Sequence, residues 1–181
     1  LAFIIFGPIT NLVLWAFTEK WYYPHLLPLE YGVSYWSRVF APRGDAVIAL
    51  LTSMGIACLV VIVALLLAIP AGYALARLKL PARSLIMFIF LIPQAFPDIP
   101  VYVNIAQLFY RFQLNGTVPG VVLVHVMHSL VYAVWISSAA FAAIPKDLED
   151  AARSVGASRL SAFKDVSLPL ALPGIIASAI F

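Results

Sequence analysis

Few residues in this chain are equipped for chemistry. Its 181 residues include 8 Asp or Glu, 3 His and 1 Cys. Asp98 is the sole charge in the run 84–110, within "LIPQAFPDIPVYVNIAQ" (91–107), accompanied by Gln94, Asn104 and Gln107. An acid among amides in an apolar run suits a solute path, because ionisable groups within a membrane are costly and mark function. His125 and His128, in "VHVMHSLVYAVW", are three residues apart and share a helix face. A metal pair wants i, i+4 spacing or further ligands, which are not evident. Neutral imidazoles bonded to a neighbouring helix are the plainer role. No nucleophile–base constellation stands out, so the chain is not expected to be an enzyme.

The elements that hold these residues follow from composition. Hydrophobic residues make up 64% and charged residues 10%, with mean hydropathy +1.01. A soluble domain carries roughly 25% charged residues, so lipid must be the main solvent. The stretches 1–18, 46–76, 112–144 and 166–181 hold no Asp, Glu, Lys or Arg. About 20 apolar residues span the hydrocarbon as a helix. The runs 46–76, 84–110 and 118–144 reach that length without the alternation of a barrel strand. An all-α, polytopic transmembrane bundle is expected. Residues 1–45 would supply a first membrane helix and an external aromatic-rich loop, and residues 46–181 a core. The chain starts on Leu and ends on "IIASAIF" without flanking charge, as expected of a piece of a longer protein truncated at its C-terminus. Cys58, within an apolar run, reads as a small buried hydrophobe.

Three prolines in eight positions, Pro93, Pro97 and Pro100, must interrupt the 84–110 helix, since each lacks a backbone donor. Broken helices at membrane depth line cavities or lie buried in protein. Gln94, Asp98, Asn104 and Gln107 are therefore the candidate translocation path. The alternative for Asp98 is a hydrated position near the outer interface, capping the helix that restarts there.

Trp21, Tyr22, Tyr23, Tyr35 and Trp36 suit a headgroup layer. Arg77, Lys79 and Arg83 crowd one loop, and Lys146, Arg153, Arg159 and Lys164 another. Lys20, Arg38 and Arg43 are spread over a longer stretch, with Arg111 on the same side. Basic residues favour the cytoplasm, which places 77–83, 145–168 and the N-terminus inside. The few charges do not suggest nucleic-acid binding.

The polar stretch "IPKDLEDAARSVGASRLSAFKDVSLP" (144–169) lies between two of the most apolar runs. Pro145 suits a helix start, and Asp147, Glu149 and Asp150 complement the helix dipole. Gly156 suits a left-handed cap. Leu148, Ala151, Ala152 and Val155 share a face at helical spacing. Ser158 would cap a second short helix carrying Leu160 and Phe163, and Pro169 and Pro173 would mark entry into a fifth span.

The spacing Asp150-Ala151-Ala152, three residues, Gly156, nine residues, Val166-Ser167-Leu168-Pro169 resembles the EAA loop of binding-protein-dependent ABC importer permeases. That pattern is Glu-Ala-Ala, three residues, Gly, nine residues, Ile, any residue, Leu-Pro. Asp150 and Val166 are the mild departures, and "IPAGYALARLKLPAR" (69–83) also resembles the family. The resemblance covers about 46–181. It implies an inner-membrane permease whose loop is a coupling helix docked on a separate cytoplasmic ATPase, with Leu148, Glu149, Asp150, Ala151, Ala152 and Gly156 at the contact. It further implies a second permease subunit, the same or homologous, and an extracytoplasmic solute-binding protein, in a bacterial or archaeal cytoplasmic membrane. ATP and Mg would belong to the ATPase, because no Gly-x-x-x-x-Gly-Lys-[Ser/Thr] loop occurs here.

A self-contained secondary transporter or channel is the rival, but it would want internal repeats or several buried acids. A scaffold without transport leaves the broken helix unexplained. The implied solute is small and organic, polyamine-like or a sugar, with "ARSVGAS" inclining toward the polyamine side.

Overall fold

The structure, a computed structural model, describes residues 2–41 and 45–180. The side chains of Ala2 and Asp98 lie outside that description, as does Arg43. The chain divides into two compact units, 1–54 and 55–181. The division falls inside a helix, after Met54, whereas the boundary expected from sequence followed residue 45.

In the first unit, α1 (Ala2–Ala16) leads into a two-stranded antiparallel hairpin, β1 (Thr18–Lys20) with β2 (Glu30–Tyr31), and then α2 (Ser34–Val39). At 1.5 Å per residue, α1 is about 22 Å long, short of a hydrocarbon core of about 30 Å. The hairpin was not expected. It is tied by the exposed Lys20–Glu30 pair at 2.8 Å and by Glu19, whose carboxylate accepts the Ser34 amide at 3.0 Å. Trp36 Nε1 donates to the Ala16 carbonyl at 2.6 Å, and Trp21 Nε1 to that of His25 at 3.0 Å. Each indole thus has one bonded polar edge and one apolar body, as interface residues require.

The long helix α3 (Ala46–Arg77) carries the chain into the second unit. There follow α4 (Arg83–Leu91), a 3₁₀ turn (Ile92–Ala95), α5 (Asp98–Arg111) and α6 (Val118–Ala142). The last elements are α7 (Lys146–Ser154), α8 (Arg159–Ala162), a π turn (Phe163–Ser167) and α9 (Leu168–Ser178). Among the described residues, α3, α6 and the continuous helix Arg159–Ser178 are long and apolar enough to cross a membrane. The bent pair 83–95 and 99–111 makes a fourth span if counted as one. The fold is all-α and polytopic. Its outward side chains, such as Ile62 and Leu66 on α3, are apolar and exposed, as a lipid-facing surface demands.

Two apolar clusters hold the second unit together. Ala68, Leu75, Ala133 and Val134 join α3 to α6, with Ile86, Met87 and Phe90 of α4 packed against them. Phe141, Ile144, Ala171 and Ile175 join α6 to α9. Both seams rely on small residues, which let backbones approach in lipid. A Cβ built on Gly72 would lie 2.7 Å from Ser137 Cβ, and one on Gly174 would lie 2.7 Å from Ala140 Cβ. The runs "AIPAGYALA" and "SSAAFAA" therefore serve packing.

One expectation is corrected. The stretch after Ser158 is not a short separate helix ahead of a span starting at Pro169; helix runs unbroken from Arg159 to Ser178. Proline lacks an amide and clashes with the carbonyl four residues back. The turn before Pro169 widens to accommodate it: the Leu168 amide bonds the carbonyl of Phe163, five residues back. A π turn of this kind lets a helix pass a residue that the α ladder would exclude.

Candidate functional site

The polar loop builds its first feature from local rules. Lys146–Ser154 is helical, with Asp147 and Glu149 in the first turn and Arg153 in the last. Gly156 has φ +99°, a conformation that side chains disfavour. Its amide donates to the Arg153 carbonyl at 3.0 Å, and the Ala157 amide to that of Ala152 at 3.1 Å. Together these make a Schellman cap, which satisfies carbonyls the helix end would leave open. Ser158 Oγ accepts the Ser161 amide at 3.1 Å and starts the next helix as expected.

The loop shows two faces. Leu148 and Val155 are 44% and 87% exposed, with Asp150, Ala151 and Gly156 also exposed and Ala152 half-buried. Glu149 turns inward. The sequence grouped it with the exposed residues, and the structure separates it from them. Its Oε1 accepts Arg77 Nε at 2.7 Å and the Ser167 hydroxyl; its Oε2 accepts the Tyr73 hydroxyl at 3.1 Å. The side chains of Arg77 and Glu149 are 6% and 13% exposed. Burial by itself would raise the Glu149 pKa. The hydrogen bonds from Ser167 and Arg77, with the guanidinium charge, outweigh it and hold the carboxyl below its ordinary range.

Tyr73, Arg77 and Ser167 were not singled out by sequence. Arg77 read as one of three loop cations, and Ser167 occupies the variable position of the Val-Ser-Leu-Pro end. Tyr73 packs edge-on against Phe163 and Phe141, with ring centroids 4.7 and 5.4 Å away. Leu160, expected beside Phe163 in packing, is 61% exposed. Beside the cluster lies a cavity of about 250 Å³ bordered by Lys146, Glu149, Asp150, Arg153 and Arg159.

The second feature is the interrupted helix. Phe96 is extended, as a residue before proline must be. Helices 83–95 and 99–111 meet at 93°. Pro100 sits in the first turn of α5, where a missing amide costs nothing. The bend and α6 enclose a cavity of about 260 Å³ whose walls include Phe90, Pro93, Gln94, Met127 and His128. Of the three path candidates whose side chains are described, Gln94 borders it and Asn104 and Gln107 do not. Asn104 donates to the Pro100 carbonyl at 2.8 Å and is exposed, as is Gln107. The Asp98 side chain lies outside the described residues. His128 Nε2 and the Tyr102 hydroxyl are 2.9 Å apart, and the Tyr132 hydroxyl donates to Gln94 at 3.4 Å. His128 thus bonds a neighbouring helix, and no group of metal-ligating side chains occurs among the described residues.

The family described as "Binding-protein-dependent transport system inner membrane component" matches residues 64–181. That range holds the C-terminal part of α3, from residue 64, and the elements from α4 to α9, the polar loop included. The chain belongs to this family. The permease is 37% identical over 139 residues to the "Trehalose transport system permease protein SugB" of Mycobacterium tuberculosis, covering 76% of this chain and 51% of that protein. It is 37% identical to the "Diacetylchitobiose uptake system permease protein NgcG" of Streptomyces coelicolor, covering 66% and 40%. It is also 33% identical to the "Molybdate/tungstate transport system permease protein WtpB" of Pyrococcus abyssi, covering 73% and 53%. The chain spans about half the length of the curated relatives it matches. Its place is the inner membrane, as a multi-pass protein.

Proposed function

We propose that this permease is the transmembrane subunit of an ATP-driven importer, lining the solute path and coupled to a separate cytoplasmic ATPase through α7. The observation that carries this reading is the face Leu148–Ala151–Val155, exposed on a helix that ends in a Schellman turn. Small alanines allow a partner's backbone to come close, and Asp150 adds an exposed charge at its edge. The expected assembly has a second permease subunit, two ATPases carrying ATP and Mg, and an extracytoplasmic binding protein. The loop and the N-terminus face the cytoplasm in this reading.

For the solute, a sugar is the better supported class. Two relatives at 37% identity are named for trehalose and diacetylchitobiose. The groups around the bend, Gln94, Tyr102, His128 and Tyr132, are hydrogen-bonding residues of the kind that hydroxyl-rich ligands want. The inclination toward polyamines rested on a few loop residues remote from any cavity at the bend.

The test is purification of the full-length protein from its native membrane, with ATPase activity assayed for wild type and Gly156→Pro. Proline cannot adopt φ +99°, so the turn must break. An ATPase that accompanies the wild type and is lost from the variant supports the reading. A protein that purifies without ATPase and still moves trehalose in vesicles overturns it in favour of a self-contained transporter.

A further inference from the structure

We infer that Glu149 is a positioning residue that fastens the coupling loop to the core, so that α3, the π turn and α7 move as one body. The inference rests on the coupling role proposed above and adds how force would pass from the loop to the helices.

Covalently, α7 is joined to the core by residues 143–145 on one side and 155–158 on the other. Pro145 and Gly156 both lie at joints where the chain changes direction. Peptide links of this kind let a short helix swing. The carboxylate of Glu149 removes that freedom by accepting from two residues of α3 and one of the π turn. Such a contact resists separation: pulling it apart would leave two desolvated charges without partners. Arg77 cannot escape by losing its proton.

The π turn contributes directly. Ser167 is fully buried, and its hydroxyl donates to Glu149 Oε1, the oxygen that also accepts Arg77 Nε. Tyr73 ties the same level to α6, because its ring rests on Phe141 and Phe163 while its hydroxyl holds Oε2. One carboxylate therefore links α7 to α3 and the π turn directly, and to α6 through Tyr73. The outward neighbours Leu148 and Asp150 remain exposed to a partner, Asp150 lying 4.0 Å from Arg153 of its own helix.

The test uses full-length permease with its ATPase in lipid, carrying spin labels at Asp147→Cys on α7 and Leu66→Cys on α3 in a Cys58→Ser background. The separation is read by pulsed electron resonance without nucleotide and after trapping with ATP and vanadate. In the parent protein a single narrow separation is expected in both states. Glu149→Gln should broaden it and make it change on trapping while hydrolysis continues. Ser167→Ala, which removes one neutral contact, should broaden it to a smaller degree and decides the matter if Glu149→Gln fails to insert. A narrow, unchanged separation in the variants with the ATPase bound overturns the inference, as does a parent separation that already changes on trapping. Absence of any ATPase from the parent complex instead overturns the proposed function.

Discussion

Gly72 on α3 and Ser137 on α6 meet so closely that a Cβ on Gly72 would lie 2.7 Å from Ser137 Cβ and 2.8 Å from the Ser138 amide nitrogen. The second contact is with backbone, which cannot rotate away. Gly72→Ala is expected to destabilise the permease by about 1–3 kcal/mol through overpacking. Gly55→Ala on the same helix meets nothing within 4 Å and is expected to be neutral or mildly favourable. Unfolding midpoints of the two variants in one detergent compare them directly.

Gly156→Ala should loosen the end of α7 without altering its composition. A left-handed backbone costs a side-chain-bearing residue about 1–2 kcal/mol. The Gly156 and Ala157 amides, which close the Schellman cap, are expected to exchange hydrogen faster in the variant. Amides in the middle of α6 should exchange at the parent rate.

The Glu149 anchor should depend on pH in one direction. Its carboxyl titrates lower in the folded protein than its ordinary value of 4.5. The contribution is therefore complete above about pH 4.5 and is lost as pH falls through the folded value. Other acids titrate too, so the informative quantity is the stability difference between parent and Glu149→Gln. That difference should be constant from pH 8 to about pH 5 and shrink below about 4.5. A difference growing toward low pH would contradict the geometry.

Orientation is tested by a single exposed position. Val155 is 87% exposed on the loop. In a Cys58→Ser background, Val155→Cys should react with a membrane-impermeant maleimide in inside-out vesicles and be protected in intact cells. Labelling from the outside would reverse the assigned topology.

Local chemistry was legible along the chain. The apolar runs marked α3 and α6 because 20 or so residues without charge leave little choice in lipid. Gly156 and Ser158 announced their caps because a positive φ and an orphan amide are requirements of a few neighbouring residues. The three prolines foretold the break before α5, and the spacing from Asp150 to Pro169 foretold the family.

What depended on distant residues was not legible. Glu149 and Arg77 are 72 positions apart, and nothing in either neighbourhood states that this acid, and not Asp150, turns inward. Helical phase alone leaves both on the polar side. The choice is made by where α3 ends relative to α7, which the Gly72–Ser137 approach and the Phe141 cluster fix. The unbroken helix through Pro169 was hidden for a related reason: a proline signals a break, and only packing of Phe163 and Ser167 makes a wide π turn the better solution. Sequence by itself determined the solvent, the spans α3 and α6, the caps and the family, because these follow from residues close in the chain. Tertiary structure decided which charge is anchor and which is surface, because that depends on where chain-distant helices come to lie.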